Sequence, residues 1–160
     1  MPRRSAVPAA ALVAGLLAAL ATGCSSAPPE VTFAAGAATV QAGPTQYCEL
    51  DLSECAEPGA PVELAVPAGT PVRITVPDEV AETPWHVVFS YRDDAGQQVD
   101  ERSRLFPPDA GRDYTLQLPT PSAELIEAQV QQFGPAPEID PETEEIQFPI
   151  RASWVLRTRA

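Results

Sequence analysis

The chain's one histidine, His86, is its only candidate general base. Such a base needs a nucleophile within hydrogen-bond reach. Ser90 shares its strand face but lies four residues along, about 13 Å away at the rise of a β-strand. A packed or surface histidine is therefore the favoured reading, and a hydrolase with a dispersed site is the remote alternative. The stretch Val66-Pro67-Ala68-Gly69-Thr70-Pro71-Val72 raises a cupredoxin-like sandwich. Blue copper needs two His, a free Cys and usually Met. This chain has one His and, outside Met1, no Met. No phosphate loop, nucleophile elbow or metal-ligand cluster stands out, so no catalytic residue, metal ligand or cofactor is assigned and no enzyme is expected.

The cysteines carry more chemistry. Cys48 and Cys55 enclose six residues, and no His or third Cys is near them. Redox motifs commonly use two intervening residues. In an exported chain the pair is expected to be a structural disulfide, stabilising by roughly 2.5 kcal/mol through loop closure. It should pin an irregular hairpin near Tyr47. The third cysteine, Cys24, ends Leu20-Ala21-Thr22-Gly23-Cys24. Arg3 and Arg4 precede it, then a run from Ala6 to Leu20 that is apolar apart from Pro8 and Gly15. At about 1.5 Å per residue this run is too short for a hydrocarbon core, and its length is that of a signal peptide. Small residues directly before the Cys resemble the lipobox of bacterial lipoproteins, with Ala21 where Leu is commoner. That resemblance implies diacylglycerol on the Cys24 thiol and cleavage just before it. It also removes the odd thiol left by a Cys48–Cys55 pair. The bland alternative is an ordinary cleaved signal with an incidental Cys24. The flanks of Arg3-Arg4 fit a twin-arginine signal poorly.

Composition narrows the partners. All ten basic residues are Arg, against 22 Asp and Glu, for a net charge of −12. Loss of Arg3 and Arg4 leaves eight Arg against the same 22 acids, or −14. This rules out nucleic-acid binding by a basic surface. An anionic lipid surface would also repel the domain, so lipid on Cys24 alone is expected to hold it at the membrane. Ser25-Ser26-Ala27-Pro28-Pro29 reads as a spacer. Glu138, Asp140, Glu142, Glu144 and Glu145 crowd one Pro-rich loop. Calcium favours clustered oxygens, but the loop has neither EF-hand spacing nor a Gly for the sharp turn. A solvated loop, or a docking surface for a basic partner, is the better reading.

The remaining pattern has period two. Alternation covers Val62–Val66, Val72–Val76, Trp85–Tyr91, Tyr114–Leu118 and the long run Ile146–Leu156. Pro149 cannot donate to a ladder, so that end should be an edge or a bulge. Val31–Phe33 and Ala38–Gln41 read as short strands, and Asp78–Thr83 as one helical turn. Ser122–Phe133 could be helical, but its alternation favours a turn followed by a strand from about Ile126. Tyr114 after Asp109-Ala110-Gly111 resembles a tyrosine corner, one residue too long. Trp85 and Trp154 fall on apolar strand faces and are expected in the core. Seven or so short strands predict an all-β chain, a single antiparallel sandwich of immunoglobulin-like or fibronectin-like type. The expected organisation is a signal peptide over 1–23, lipidated Cys24 and tether over 24–30, and the sandwich over 31–160.

Several landmarks together resemble an actinobacterial family of secreted or lipid-anchored proteins, numbered 2771 among the domains of unknown function. They are Tyr47-Cys48 with Cys55, the Val66-Pro67-Ala68-Gly69 turn, and Val80-Ala81-Glu82-Thr83-Pro84-Trp85. Tyr91, Val130-Gln131-Gln132-Phe133 and Arg151-Ala152-Ser153-Trp154 complete them. The resemblance spans most of the chain after Cys24 and implies export without implying an activity or a site. The expectation is an extracytoplasmic lipoprotein on the outer face of the plasma membrane, binding or assembling with another envelope protein. The loops Asp93–Arg104 and Pro135–Glu145 are the expected contacts. The rival is a carrier of lipid or another apolar ligand, with a cavity lined by Trp85, Phe89, Tyr91 or Trp154.

Overall fold

Period-two alternation gives each strand one apolar face, and two sheets can bury such faces against each other. The computed structural model describes residues 27–139 and 146–159 and shows this arrangement. The proposed signal peptide and Cys24 lie outside these residues. One sheet has the order β2 (Ala38–Ala42), β1 (Val31–Ala35), β6 (Val72–Thr75), β9 (Asp113–Leu116). The second runs β4 (Cys55–Ala56), β3 (Gln46–Cys48), β13 (Ile150–Arg159), β10 (Glu124–Phe133), β7 (Trp85–Arg92), β8 (Gln98–Arg102). Beyond β3, the same edge of β13 also takes β5 (Val62–Ala65), in the one parallel pairing among the described residues. A single helical turn, α1 (Asp78–Ala81), precedes β7, and β11 (Glu138–Ile139) pairs with β12 (Ile146–Gln147) as a separate ribbon. The expected antiparallel sandwich is therefore present, cut into more and shorter strands than the pattern indicated.

The core lies between the sheets. Phe33, Ile74 and Leu116 from one face Trp85, Val87, Ala128, Val130, Trp154 and Leu156 from the other, all fully buried or nearly so. Trp85 stacks on Phe106 with ring centroids 4.2 Å apart. Trp154 donates from Nε1 to the Pro29 carbonyl at 2.8 Å, tying the segment before β1 to the core. The turn at Pro67–Thr70 is closed by a Thr70 N–H to Pro67 carbonyl bond of 3.0 Å. Its Gly69 has φ +72°, and a Cβ there would meet the Pro121 carbonyl oxygen at 2.7 Å. Both facts demand glycine.

Three local readings need correction. Gln98–Arg102, expected as loop, is edge strand β8, paired with β7 from Val88↔Arg102 to Arg92↔Gln98. Its residues are mostly exposed and charged, so no buried face marks it in the sequence. Charged side chains on an edge also discourage pairing with another chain. Second, the strand expected from Ile126 starts at Glu124, with a register shift between Leu125 and Glu127. That bulge carries Ile126 off the core face, which Leu125, Ala128 and Val130 occupy. Third, the long run from Ile146 is broken at Phe148-Pro149, beside a register shift at Gln132/Phe133. Pro149 accordingly sits at an irregularity. From Arg151 to Leu156 both faces of β13 are buried, because Thr45 and Tyr47 cover the outer one. Among the described residues the Tyr114 hydroxyl makes no corner bond; its ring meets Phe106 edge-on at 5.7 Å.

The β7–β8 turn is clipped to the loop before β10 by Asp94. Its Oδ1 accepts from Thr120 Oγ1 at 2.7 Å and from Ser122 Oγ at 2.5 Å. The Ser122 bond, then the Thr120 bond, hold its carboxyl below the ordinary 3.8. A depressed folded pKa stabilises above the unfolded value and ceases to as pH falls through the folded one. Asp94→Ala should therefore lower the thermal midpoint at pH 6, and its deficit should shrink as the pH drops below 3.8. Thermal scans from pH 6 to 2 check this; a deficit that holds constant would dismiss the clip.

Candidate outer-face cleft

The alternation of β7 puts Trp85, Val87, Phe89 and Tyr91 in the core and sends His86 to the outer face. There the neighbouring strand covers it to 9% exposure. His86 Nε2 donates to Gln131 Oε1 at 2.8 Å, in the tautomer that this orientation of the amide requires. The two residues are direct partners in the β7–β10 register. The His86 ring meets Phe133 edge-on at 4.9 Å, and Phe133 meets Phe148 edge-on at 6.1 Å.

The chain leaving β8 walls the other side. Ser103 N–H donates to the Val87 carbonyl at 2.8 Å, and Ser103 Oγ accepts from Val87 N–H at 3.0 Å. Phe106 N–H donates to the Trp85 carbonyl at 2.9 Å. These bonds fix Arg104, whose guanidinium lies 4.3 Å over the Phe106 ring, a cation–π placement. His86, Phe133 and Phe148 with Arg102, Ser103, Arg104 and Leu105 line an open cleft of about 420 Å³. Leu105 and Phe148 are each 47% exposed on its rim. Arg112, Arg157 and Arg159 bond to Asp78, Glu127 and Glu63 at 2.9, 3.0 and 3.6 Å. Arg102 and Arg104 make no ion pair with a described residue.

This cleft was not legible in advance. The sequence marks His86, but Phe133 reaches it from β10, Phe148 from the chain before β13, and Arg102 to Leu105 from the end of β8 and the segment after it. The available signal is Arg102-Ser103-Arg104-Leu105, two arginines on either side of a serine and just before a leucine, in a strongly acidic chain. The cleft does not bring His86 to a nucleophile. Ser90 lies further along the outer face, with Asp100, Glu101 and Glu127 in a concavity of about 210 Å³. Ser103 shares the cleft, but its Oγ donates to the Arg104 carbonyl at 2.8 Å. Among the described residues no hydrogen bond joins His86 to a serine or a carboxylate.

Cys48 and Cys55 form the expected disulfide, as direct partners of the β3–β4 pair. Behind it sits an arginine that the sequence marks only as part of the Arg151–Trp154 landmark. Arg151 is 8% exposed. Its Nε donates to the Cys48 carbonyl at 3.1 Å, Nη2 to Tyr47 Oη at 3.1 Å, and Nη1 to Gln132 Oε1 at 3.4 Å. Its guanidinium also lies 4.9 Å from the Tyr47 ring centroid. Gln132, fully buried, donates in turn to the Glu79 carbonyl at 2.9 Å. The charge is thus held by carbonyl oxygens, the Tyr47 hydroxyl and its ring, with no carboxylate among the described residues.

Of the acidic loop proposed for calcium or a basic partner, residues 140–145 lie outside the described residues. Asp78, Glu82, Asp109 and Asp113 face another concavity, around Arg112. Among the described residues no three His, Cys, Asp or Glu side chains converge to hold a metal ion. Trp85, Phe89, Tyr91 and Trp154, the expected lining of a carrier cavity, are buried side chains of the core.

Comparison with known proteins adds a lineage. Residues 25–159 match the family model described as "Protein of unknown function (DUF2771)". An uncharacterized protein of Mycobacterium bovis and one of Mycobacterium tuberculosis strain H37Rv are each 33% identical to the chain over 89 residues. The matched segment covers 55% of this chain and 52% of each relative, so the chain spans about half the length of the curated relatives it matches. No solved structure matches it. The family model covers nearly all of the described residues, and the chain belongs to this family of proteins of unknown function.

Proposed function

We propose that the chain is an exported lipoprotein of the bacterial envelope, anchored through Cys24 to the outer face of the plasma membrane. Its sandwich serves as a non-enzymatic module that binds or assembles with another envelope component. The observation that carries this reading is the Cys48–Cys55 disulfide. A disulfide suits an oxidising compartment, and it leaves Cys24 as the one remaining thiol, directly after a signal-like segment. The −14 charge after Cys24 argues against nucleic acid and against docking on anionic lipid by charge, so the acyl chains themselves supply the attachment.

Metabolic labelling with a clickable palmitate analogue tests the anchor. Wild type should label and sediment with membranes, and Cys24→Ala should do neither. Equal sedimentation of both forms would refute the lipid anchor. Crosslinking of the tagged protein in its native envelope tests the module. One defined envelope protein should be enriched by wild type and lost in Cys24→Ala.

A further inference from the structure

We propose that the outer-face cleft binds a small apolar carboxylate, its head on Arg102 and Arg104 and its hydrophobic body against Leu105, Phe133 and Phe148. The proposal deepens the binding-module reading. It rests on the binding half of that reading and does not depend on export or lipidation.

Charge complementarity in an unfavourable setting favours such a ligand. The chain is strongly acidic, and three of its eight described arginines, Arg112, Arg157 and Arg159, pair with carboxylates. Arg102 and Arg104 instead border a common cleft without an ion pair to a described residue. Arg104 is further held in place by Phe106 at 4.3 Å, which reduces the freedom lost on binding an anion. Guanidinium groups match a carboxylate fork with charge-assisted bonds. Aromatic and aliphatic walls beside such donors are the ordinary composition of a ligand site, and about 420 Å³ falls in the lower part of the usual size range. The cleft opens on a sheet face, and β8 carries Asp100 and Glu101 in the neighbouring concavity, which would repel a second anionic group. A compact acid with one negative charge fits better than a polyanion.

The test uses the purified full chain in nanodiscs of neutral lipid, with 4-phenylbutyrate as probe and 4-phenylbutanol as its uncharged counterpart. Binding is read by NMR from the ring signals of Phe133 and Phe148 and the imidazole of His86. The acid should shift these signals saturably and bind about tenfold more tightly than the alcohol, one charge-assisted contact's worth. Arg102→Gln with Arg104→Gln should remove that preference, while Arg157→Gln, away from the cleft, should keep it. Equal binding of acid and alcohol, no saturable shift, or an unchanged preference in the double variant would overturn the proposal. Shifts produced by phosphatidylglycerol discs and not by the acid would also overturn it, in favour of a lipid headgroup. Envelope crosslinking reports separately. Capture of a partner by the double variant as by wild type, with no acid binding to wild type, would sink the ligand and leave the module standing.

Discussion

Trp154→Ala should destabilise the protein by about 3–5 kcal/mol, the range for truncating a fully buried large aromatic. Two losses combine there. The indole sits between the sheets with no exposure, and β13 and β10 hold it in register opposite Val130. Its Nε1 also donates to the Pro29 carbonyl at 2.8 Å, where chain entering β1 meets the core. Trp154→Phe separates the two contributions. It keeps most of the apolar contact and removes the donor, so it should cost the polar part, about 1–3 kcal/mol, together with some packing. The Pro29 carbonyl then lacks its donor, and β1 amides near Val31 should exchange faster in both variants. Urea unfolding and amide exchange measure the two effects. If Trp154→Ala unfolds within 1 kcal/mol of wild type, that indole does not hold the sheets together. Loss of stability without faster exchange near Val31 would confine its role to packing.

The sandwich was legible because its long strands bury one face, and a buried face writes itself into the sequence as alternation. Trp85 to Tyr91 shows this directly. The misreadings all fall where alternation carries no weight. Strand β8 turns only Val99 toward the core and is otherwise polar, since it is an edge held by main-chain bonds to β7. Ile126 has the spacing of a core residue, but a bulge takes its place on the core face. Arg151 and Ser153 lie on the expected outer face of β13 yet are buried, because Thr45 and Tyr47 arrive from a distant segment to cover them. Local pattern cannot report a cover supplied from about a hundred residues away. The cleft escaped for the same reason, being assembled from β7, β10, the segment after β8 and the chain before β13. The disulfide needed no such assembly, since its partners sit close in sequence.

Removing the disulfide by Cys48→Ala with Cys55→Ala should cost more than loop closure alone. Closing so short a loop contributes roughly 2.5 kcal/mol, all of it through the unfolded chain. The folded state adds a further contribution here. The Cys48 carbonyl accepts from Arg151 Nε at 3.1 Å, and Tyr47 Oη accepts from Nη2, so β3 supplies two of the oxygens that hold the buried guanidinium. Among the described residues β4 pairs with β3 alone, through Tyr47↔Ala56 and Cys48↔Cys55, and two residues make a weak ladder. Without the disulfide β4 frays, the end of β3 loosens, and a buried charge loses bonds it cannot replace, which is costly. The measured loss should then approach about 4 kcal/mol, within the range for removing a native disulfide from a small domain. In an Arg151→Met background the charge is gone, and the same cysteine changes should cost only the loop-closure part. The difference is a coupling energy between disulfide and arginine, read from a double-mutant cycle of urea midpoints. Additive effects would mean that the disulfide acts on the unfolded chain alone. A coupling of 1 kcal/mol or more would make the hairpin the clamp that keeps an unpaired cation inside an acidic protein.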